Sequence, residues 1–534
     1  MNLTYTDFIA FGSFLAVVVA VSLYAGRRER TSEDYFLAGR SLTWWLIGVS
    51  LIASNISTEH FVGMAGSAYG RVGLAIASYE WMAAITLVLV GWFLLPRFLR
   101  AGIYTMPEYL EYRYDARARS IMAFYLMVAY VVVALATVLY SGAVGLIAIF
   151  DLPEQFATHF GLEPDRARSW SMVAAIWFIG IVAGAYTIYG GLKAVVWSDL
   201  IQGTALLVGG LLVVLLGFDL LGGDAGLRAG VRVFLETNED KLHTVLPWND
   251  PDMPWLAVFV GGLWIPNTFY WGLNQFITQR TLAAKSLAEG QRGIFFAAFL
   301  KLLIPFIIVF PGIMAFQLFG DQIANPDEAY PFLISRILPP QLRGVMLAAL
   351  TGAVMSSFNS MLNSASTIFT MDLYARHLRP EAPASQLVRV GRIATASFAV
   401  VACLWAPAIS KFEGVFTYIQ TVWGFITPGI VAAFLFGMAV KKAPPIAAIA
   451  AMVMGVPLYG MLLWQLPDVA FLHHMAITFV IQIVCMTALT RLYPLSEPVT
   501  LPDTGRVDTT PMRGSFVWGS AVIAATVVLY AIFW

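Results

Sequence analysis

The sequence predicts an all-α polytopic membrane protein with about fourteen transmembrane helices. The chain of 534 residues is 59% hydrophobic and only 12% charged, whereas soluble domains carry roughly 25% charged residues. Its apolar residues form repeated runs of the length, about 20 residues, that a helix needs to cross a bilayer. Lys plus Arg and Asp plus Glu are balanced at 32 each without a dense basic block, so no nucleic-acid partner is expected. This composition excludes a soluble enzyme.

Fourteen apolar spans follow one another along the chain. They lie at about 6–25, 41–66, 73–98, 119–150, 169–190, 195–221, 254–280, 292–319, 341–375, 387–408, 415–439, 443–465, 470–491 and 512–534.

The first span is predicted to be a membrane anchor rather than a secretory signal. No base precedes it, and Arg27, Arg28 and Arg30 follow it, the reverse of a signal peptide. Because Lys and Arg concentrate on the cytoplasmic side of short loops, residue 1 should lie outside. Fourteen crossings then place both termini on the outer side of the plasma (inner) membrane.

Two spans carry polar residues and helix breakers at membrane depth. The second contains the run 54–60 followed by Gly63 and Gly66, and the seventh contains Pro266-Asn267-Thr268. Irregular backbone in a membrane is tolerated only around a buried cavity. We therefore predict unwound backbone at 54–58 and 266–268. Alternatively, Pro and Gly merely kink packed helices, and Ser and Asn hold helix faces together.

The two interrupted spans begin successive sets of five helices, which is the pattern of a five-plus-five inverted repeat. The predicted organisation comprises an extra helix and cytoplasmic loop (1–40), the first repeat (41–221), an external loop (222–253), the second repeat (254–439) and three additional helices (440–534).

The ninth span carries a row of oxygen donors. Ala353, Ser356 and Ser357 are spaced i, i+3, i+4, so a carbonyl and two hydroxyls share one helical face. Hard cations prefer oxygen ligands, and an unwound helix supplies free carbonyls. This pattern indicates a sodium site. The alternative is that Ser residues serve close helix packing.

Few ionisable residues occur within the spans, and each needs a partner or water because a lone charge in hydrocarbon is costly. Glu80 and Lys301 either pair with each other or together bind a polar, uncharged ligand. Asp199 follows a Gly-Gly turn and is either functional or an interfacial residue. His60, at the first break, is either a ligand contact or a packed histidine.

Several runs are specific enough to identify a resemblance. They are SLIASNISTEHFVGMAGSAYG (50–70), LAIASYEW (74–81), YTIYGGLKAVVWSDLIQ (186–202), YWGLNQFITQRTLAAKS (270–286) and MLNSASTIFTMDLY (361–374). Together they resemble the sodium:solute symporter family, and within it the sodium/glucose and sodium/galactose cotransporter branch. The resemblance covers essentially the whole chain. It implies a LeuT-type fold and import of a neutral sugar together with sodium by alternating access.

The resemblance also implies roles for individual residues. The matching positions that contact sugar hydroxyls are Asn55, His60, Glu80, Asn267, Lys301 and Gln420. Tyr270 is implied as the inner gate that stacks under the sugar ring, and Met64, Tyr79 and Phe416 as the outer gate. Sodium is implied to bind the carbonyls of Ala53, Ile56 and Ala353 and the hydroxyls of Ser356 and Ser357, with Asp199 on its release path.

Two positions depart from the family pattern. Ala134 and Ala83 stand where polar sugar contacts are expected, which leaves the preferred epimer open. The alternative function is a sodium symporter for inositol, sialic acid, an amino acid or another carboxylate. An enzyme is not expected, because the six histidines are scattered and no nucleophile–base pair or metal cluster is evident. Nothing in the sequence indicates an obligate protein partner.

Overall fold

The computed structural model describes residues 5–27, 31–57, 59–411 and 415–534. Within these ranges it leaves undescribed the side chains of residues 59, 148, 149, 340, 341, 411, 415–418 and 420. The helices and their connecting turns dominate this part of the chain.

The first eleven α-helices are α1 (Tyr5–Ala25), α2 (Ser32–Leu37), α3 (Trp44–Asn55), α4 (Ala65–Tyr69), α5 (Ser78–Leu89), α6 (Leu95–Ala101), α7 (Met106–Arg113), α8 (Ala116–Val128), α9 (Leu135–Phe150), α10 (Leu152–Phe160) and α11 (Pro164–Gly222). The next six are α12 (Gly226–Thr237), α13 (Trp255–Phe259), α14 (Trp264–Thr268), α15 (Gln275–Leu282), α16 (Leu287–Phe319) and α17 (Ala329–Ile337). The last six are α18 (Pro340–Ile368), α19 (Ala384–Trp405), α20 (Val415–Ala439), α21 (Pro445–Gln465), α22 (Phe471–Leu492) and α23 (Ser515–Ile532). Wider π-helical turns occur at Glu59–Met64, Val90–Leu94, Ala129–Ala134, Phe269–Leu273 and Phe369–Leu378.

Twelve helical stretches of the described chain are long and apolar enough to cross a membrane. One of them contains α11, whose 59 residues far exceed the roughly 20 needed for one crossing. The chain turns within α11 at Gly191, where φ is +51°. A Cβ atom there would lie 2.3 Å from the carbonyl oxygen of Tyr35, so both conformation and contact require glycine. Two predicted spans therefore meet at this turn.

The predicted break in the second span is present. Helix α3 ends at Asn55, and Ile56 adopts an extended conformation with φ −76° and ψ 112°. Helical backbone resumes at Glu59. Residues 54 and 55 still belong to α3, and Thr58 lies outside the described residues. The interruption is thus observed at residues 56 and 57.

The predicted break at 266–268 in the seventh span is wrong. These residues form part of α14, and Pro266 is the third residue of that helix. Proline is tolerated in a first helical turn, because the amide it lacks would have no intrahelical partner there. The span is interrupted instead at residues 260–263, between α13 and α14, and at Asn274, with φ −81° and ψ 122°. Its carbonyl accepts the Thr278 amide at 2.9 Å and so begins α15.

The interrupted helix α3 lies at the centre of the structure, packed against α11, α16 and α18. In the most apolar part of the span that contains α18, 83% of the residues are buried, compared with 17% in the first span and 28% in the last. The peripheral helices therefore present apolar faces outward, as helices in contact with lipid do. The breaks at Ile56 and at Asn274, both buried, lie inside the helical bundle.

The long loop before the seventh span is tied to the turn that follows the second. Arg71 donates to Asp250 at 2.6 Å, and the Lys241 ammonium donates to the Tyr69 carbonyl at 2.9 Å. Asp250 also accepts the amides of Asp252 and Met253, each at 2.9 Å. Burial raises the pKa of Asp250, but these hydrogen bonds outweigh it and hold the pKa below its ordinary value.

We expect Asp250→Asn to reduce the acid sensitivity of the fold. A depressed carboxyl pKa contributes stability that is present above about pH 4 and is lost as the pH falls through the folded-state pKa. Because Arg71 is half exposed, the contribution should be about 1 kcal/mol. Thermal unfolding of purified wild type and variant from pH 6 to pH 2.5 measures it. Asp240→Asn, an exposed acid on the same loop, is the control, and parallel pH profiles for wild type and Asp250→Asn would contradict the assignment.

Candidate transport site

A cavity lies against the first break and the start of α5. The space between its lining residues, including the open mouth, is about 730 Å³. The predicted residues that line it are Asn55, His60, Met64, Tyr79, Glu80, Asn267 and Tyr270. Ile76, Leu263, Pro266 and Trp271 complete the described lining. Seven residues predicted from distant parts of the sequence thus meet around one space.

Glu80 is the acidic group of this cavity, and its charge is compensated. The carboxylate of Glu80 forms an ion pair with Lys301 on α16, and its second oxygen lies 3.3 Å from Nε2 of His60. Lys301 also donates to the side-chain oxygen of Asn55. Its ammonium lies 4.8 Å from the ring centroid of Trp271. A buried charge requires this kind of partner set, and the expected Glu80–Lys301 pairing is present.

Lys301 differs from the other members in position. Its side chain is fully buried, and it is not among the described residues that line the cavity. It therefore contacts Glu80 and Asn55 from the side that faces away from the cavity.

Asn55 and Tyr270 separate this cavity from a second one. The Asn55 amide donates to the Tyr270 hydroxyl at 3.0 Å, and both residues line both spaces. Tyr270 is further fixed by an edge-to-face contact with Phe276, with centroids 5.4 Å apart at 89°. The described lining of the second cavity is Ser54, Asn55, Ser57, Ala134, Val138, Tyr270, Phe276, Ser357, Met361, Ile419 and Trp423. Tyr270 and Asn55 therefore form a wall shared by the two spaces.

The remaining predicted residues of this region divide into two groups. Ala134 lines the second cavity, whereas Ala83 is buried and is not among the described lining residues of either cavity. The side chains of Phe416 and Gln420 lie outside the described part of the structure.

Ser356 and Ser357, two of the residues predicted to bind sodium, lie beside the first break. Ala353, Ser356 and Ser357 are buried on α18. The Ser357 hydroxyl donates to the Ser54 carbonyl at 3.2 Å, which brings α18 against the last turn of α3, where Ala53 lies. Carbonyls at the end of a helix are the ones that lack regular helical partners. The break therefore supplies carbonyls at the point where α18 supplies hydroxyls.

This donor set suits an alkali cation. The described residues contain no group of three or more His, Cys, Asp or Glu side chains able to hold a metal ion. Carbonyl and hydroxyl oxygens are hard ligands without the affinity for transition metals that imidazole and thiolate provide.

Asp199 is a buried member of this region rather than an interfacial residue. Its carboxylate accepts the hydroxyls of Ser356 at 2.6 Å and Ser54 at 3.1 Å, and that of Ser50. It also forms an ion pair with Arg280 of α15 at 2.9 Å, and both side chains are fully buried. Asp199 therefore connects both interrupted spans to α18.

Sequence reasoning missed Arg280 and Ser50. Arg280 is the last residue of the predicted span 254–280, where a base is expected to reach the membrane surface. In the structure it donates to Ser50 at 2.6 Å and to Ser360 at 2.5 Å. The sequence did contain a signal for this ion pair, because an acid within a span, here Asp199, needs a cationic partner.

Comparison with known proteins shows what the whole chain is similar to. The family model described as "Sodium:solute symporter family" matches residues 35–455. The chain is 38% identical to the sodium/glucose cotransporter of Vibrio parahaemolyticus, over 100% of this chain and 99% of that protein. It is 36% identical to the uncharacterized symporter YidK of Escherichia coli, with 98% and 90% covered. It is 35% identical to the sodium/myo-inositol cotransporter 2 of Sus scrofa, with 83% and 67% covered.

Solved structures confirm the predicted fold class. A sodium-coupled sialic acid symporter, in a substrate-bound outward-open state, superimposes with a TM-score of 0.78 at 22% identity, covering 93% of this chain and 99% of that one. Mhp1, a nucleobase-cation-symport-1 family transporter, gives a TM-score of 0.56 at 16% identity, covering 89% and 97%.

Proposed function

Because this chain belongs to the sodium:solute symporter family, we propose that it imports a neutral sugar of the glucose or galactose type. The observation that carries the proposal is the first cavity, whose polar wall consists of hydrogen-bonding groups around a compensated carboxylate. Asn55, His60, Glu80 and Asn267 present donors and acceptors to it. Sugar hydroxyls need both kinds of partner. The 38% identity to a sodium/glucose cotransporter over the full chain supports the same assignment.

Carboxylate solutes fit this cavity less well. Sialic acid and amino acids need a cationic group or a helix amino end facing the ligand carboxylate. Lys301 is the cation of this region, and it is already paired with Glu80 behind the wall. A second acidic group beside Glu80 would be repelled. Inositol is the remaining candidate, because it is neutral and polyhydroxylated and because relatives include sodium/myo-inositol cotransporters.

We assign roles to individual residues from the cavity linings and, for Gln420 and Phe416, from the family resemblance. Asn55, His60, Glu80 and Asn267, together with Gln420, bind hydroxyls of the solute, and Lys301 orients two of them. Tyr270 is the inner gate beneath the solute. Met64, Tyr79 and Phe416 close the outer side.

Sodium binds where the break in the second span meets α18. Its ligands are the carbonyls of Ala53, Ile56 and Ala353 and the hydroxyls of Ser356 and Ser357. Asp199 lies next to Ser356 and receives the ion on its way inward.

Coupling arises because one short segment serves both sites. Ala53 and Ile56 belong to the ion site, whereas Asn55 and His60, less than two turns away, line the solute cavity. Ordering the break around an ion prepares the solute contacts, and the effect is reciprocal. Each inward-moving sodium gains about 2.3 kcal/mol per 100 mV. That energy supports a roughly 50-fold gradient of neutral solute before the sodium gradient is added.

Alternating access is proposed to arise when the first two helices of each repeat, 41–221 and 254–439, rock against the remaining helices around the cavities. Both termini are proposed to lie on the outer side of the plasma (inner) membrane. Opening the wall at Tyr270 would join the first cavity to the second and so lead the solute inward.

Uptake into proteoliposomes tests the proposal. The purified protein is supplied with labelled glucose, galactose, myo-inositol, sialic acid and proline, with and without an inward sodium gradient. We expect sodium-driven accumulation of a neutral hexose. Accumulation of sialic acid or proline with no hexose uptake would refute the sugar assignment. Preferential uptake of myo-inositol would favour the alternative function, a sodium/inositol symporter.

Ser357→Ala should weaken sodium activation about tenfold with little change in sugar preference. Losing one ligand or hydrogen bond costs roughly 1 to 1.5 kcal/mol, which corresponds to such a factor. The measurement is the sodium concentration for half-maximal uptake. Ser366→Ala is the matched control, since Ser366 lies on the same helix but donates to Gly391 at 2.7 Å. Unchanged sodium activation in Ser357→Ala would place the ion elsewhere.

A further inference from the structure

The last helix, α23, packs closely against the helix that carries Glu80. The transport mechanism proposed above uses no residue of α23. The indole nitrogen of Trp92, in the turn that continues α5, donates to the Ser515 carbonyl at 3.2 Å. A Cβ atom on Gly519 would lie 2.7 Å from a methyl carbon of Val88. The missing side chain at Gly519 therefore lets α23 approach α5 at short range.

Trp81 follows Glu80 in the first turn of α5, and its indole is tied to α16. The Trp81 side chain is fully buried, and its indole nitrogen donates to the Leu302 carbonyl at 3.3 Å. Leu302 follows Lys301, which is the ion-pair partner of Glu80. This hydrogen bond therefore joins α5 to α16 directly beside the two residues of the buried ion pair.

The ring of Trp81 also contacts two aromatic residues near the end of α23. The Tyr530 ring lies edge-to-face with it, with centroids 5.3 Å apart at 80°. The Phe533 ring is tilted, with centroids 6.2 Å apart. Tyr530 is buried, with 7% of its surface exposed. Aromatic pairs in such arrangements contribute energy beyond the burial of their surface, so a shift of Trp81 away from these rings is opposed.

The end of α23 is itself held in place. Thr244, in the predicted external loop, donates to the Phe533 carbonyl from its amide at 2.8 Å and from its hydroxyl at 2.6 Å. Phe306 on α16 contacts the rings of both Trp81 and Phe533, with centroids 6.4 Å and 6.3 Å away. The aromatic residues of α23 thus form a fixed support for Trp81.

We propose that Tyr530 is a positioning residue of the solute site, acting through Trp81 on Glu80. Glu80 must face the cavity while it pairs with Lys301, and a binding group works only when its neighbours hold it near the productive geometry. Without the Tyr530 ring, the first turn of α5 can shift and solute binding weakens. This inference rests on the proposed function, because it takes the first cavity as the place where the transported solute binds.

Uptake into proteoliposomes over a range of solute concentrations tests this role, with whichever solute the wild type accumulates. Tyr530→Leu keeps an apolar side chain in the buried position but removes the ring. We expect the solute concentration for half-maximal uptake to rise about fivefold, the factor that corresponds to the loss of one aromatic pair. The maximal rate, and the sodium concentration for half-activation at saturating solute, should change little. Tyr530→Phe retains the ring and should retain wild-type half-saturation.

Two further variants separate positioning from a general structural effect. Trp518→Leu is the matched control, since Trp518 is an exposed aromatic residue on the same helix, and it should leave half-saturation unchanged. Trp81→Leu completes a double-mutant cycle. If Tyr530 acts through Trp81, Trp81→Leu/Tyr530→Leu should raise the half-saturating concentration no further than Trp81→Leu alone.

Three results would overturn the inference. They are wild-type half-saturation in Tyr530→Leu, an equal rise in Trp518→Leu, and multiplying effects in the double variant. A wild type that accumulates sialic acid or proline instead of a hexose would refute the sugar assignment alone. The test of Tyr530 would still be made with that solute, because it measures a change in affinity for whatever the first cavity binds.

Discussion

Lys301→Met is expected to abolish uptake and to lower the free energy of unfolding by about 3 to 5 kcal/mol. The substitution leaves the Glu80 carboxylate buried without its main cationic partner and removes a donor to Asn55. Two residues that line the solute cavity would therefore lose their orientation. Thermal unfolding in detergent and uptake in proteoliposomes measure the two effects separately.

The double variant Lys301→Met/Glu80→Gln is the control for this prediction. It removes both charges, so it should recover at least half of the lost stability, because replacing a whole buried pair is far less costly than breaking it. Uptake should remain absent, since Glu80 faces the cavity. Normal uptake by Lys301→Met would show that the ion pair does not support the solute site.

Arg280→Met is expected to have an effect of similar size on stability, again about 3 to 5 kcal/mol, but through the ion site. Arg280 pairs with Asp199 in a fully buried setting. Without it, Asp199 keeps an uncompensated charge among the hydroxyls of Ser50, Ser54 and Ser356. We expect sodium activation of uptake to be lost, whereas the solute cavity keeps its residues.

The double variant Arg280→Met/Asp199→Asn separates the loss of stability from the loss of sodium activation. Removal of both charges should restore much of the stability without restoring normal sodium dependence. Solute binding by Arg280→Met at saturating sodium should exceed that of Lys301→Met. If both single variants lost solute binding equally and kept the same sodium response, Asp199 and Arg280 would have a purely structural role.

Much of the fold was predictable because hydrophobic length is a direct physical requirement of the bilayer. Each predicted span corresponds to helical structure, including the two spans that meet at Gly191. The break after Asn55 was also readable, since a polar run at membrane depth has no other stable location. The break at Asn274 was misplaced because Pro266 was taken as its cause. A proline marks a break only where its missing amide removes a hydrogen bond.

The candidate site was only partly predictable. A sequence indicates how deep in the membrane a residue lies more readily than it indicates which way the side chain points. The Glu80–Lys301 pair was among the expected arrangements, since both charges lie within spans. Arg280 was missed because it lies at the end of a predicted span, where surface exposure is the usual outcome. Only the packing of α15 against α3 and α18 shows that its side chain points inward to Asp199.

The central claim is that one interrupted helix binds sodium on one side and a neutral polyol on the other. The most direct test is the affinity of the purified protein for the proposed hexose, measured by equilibrium binding in sodium and in potassium at equal ionic strength. We predict that sodium tightens hexose binding, that hexose tightens sodium binding by the same factor, and that Ser357→Ala reduces both effects together. Equal hexose affinity in the two salts would contradict the claim.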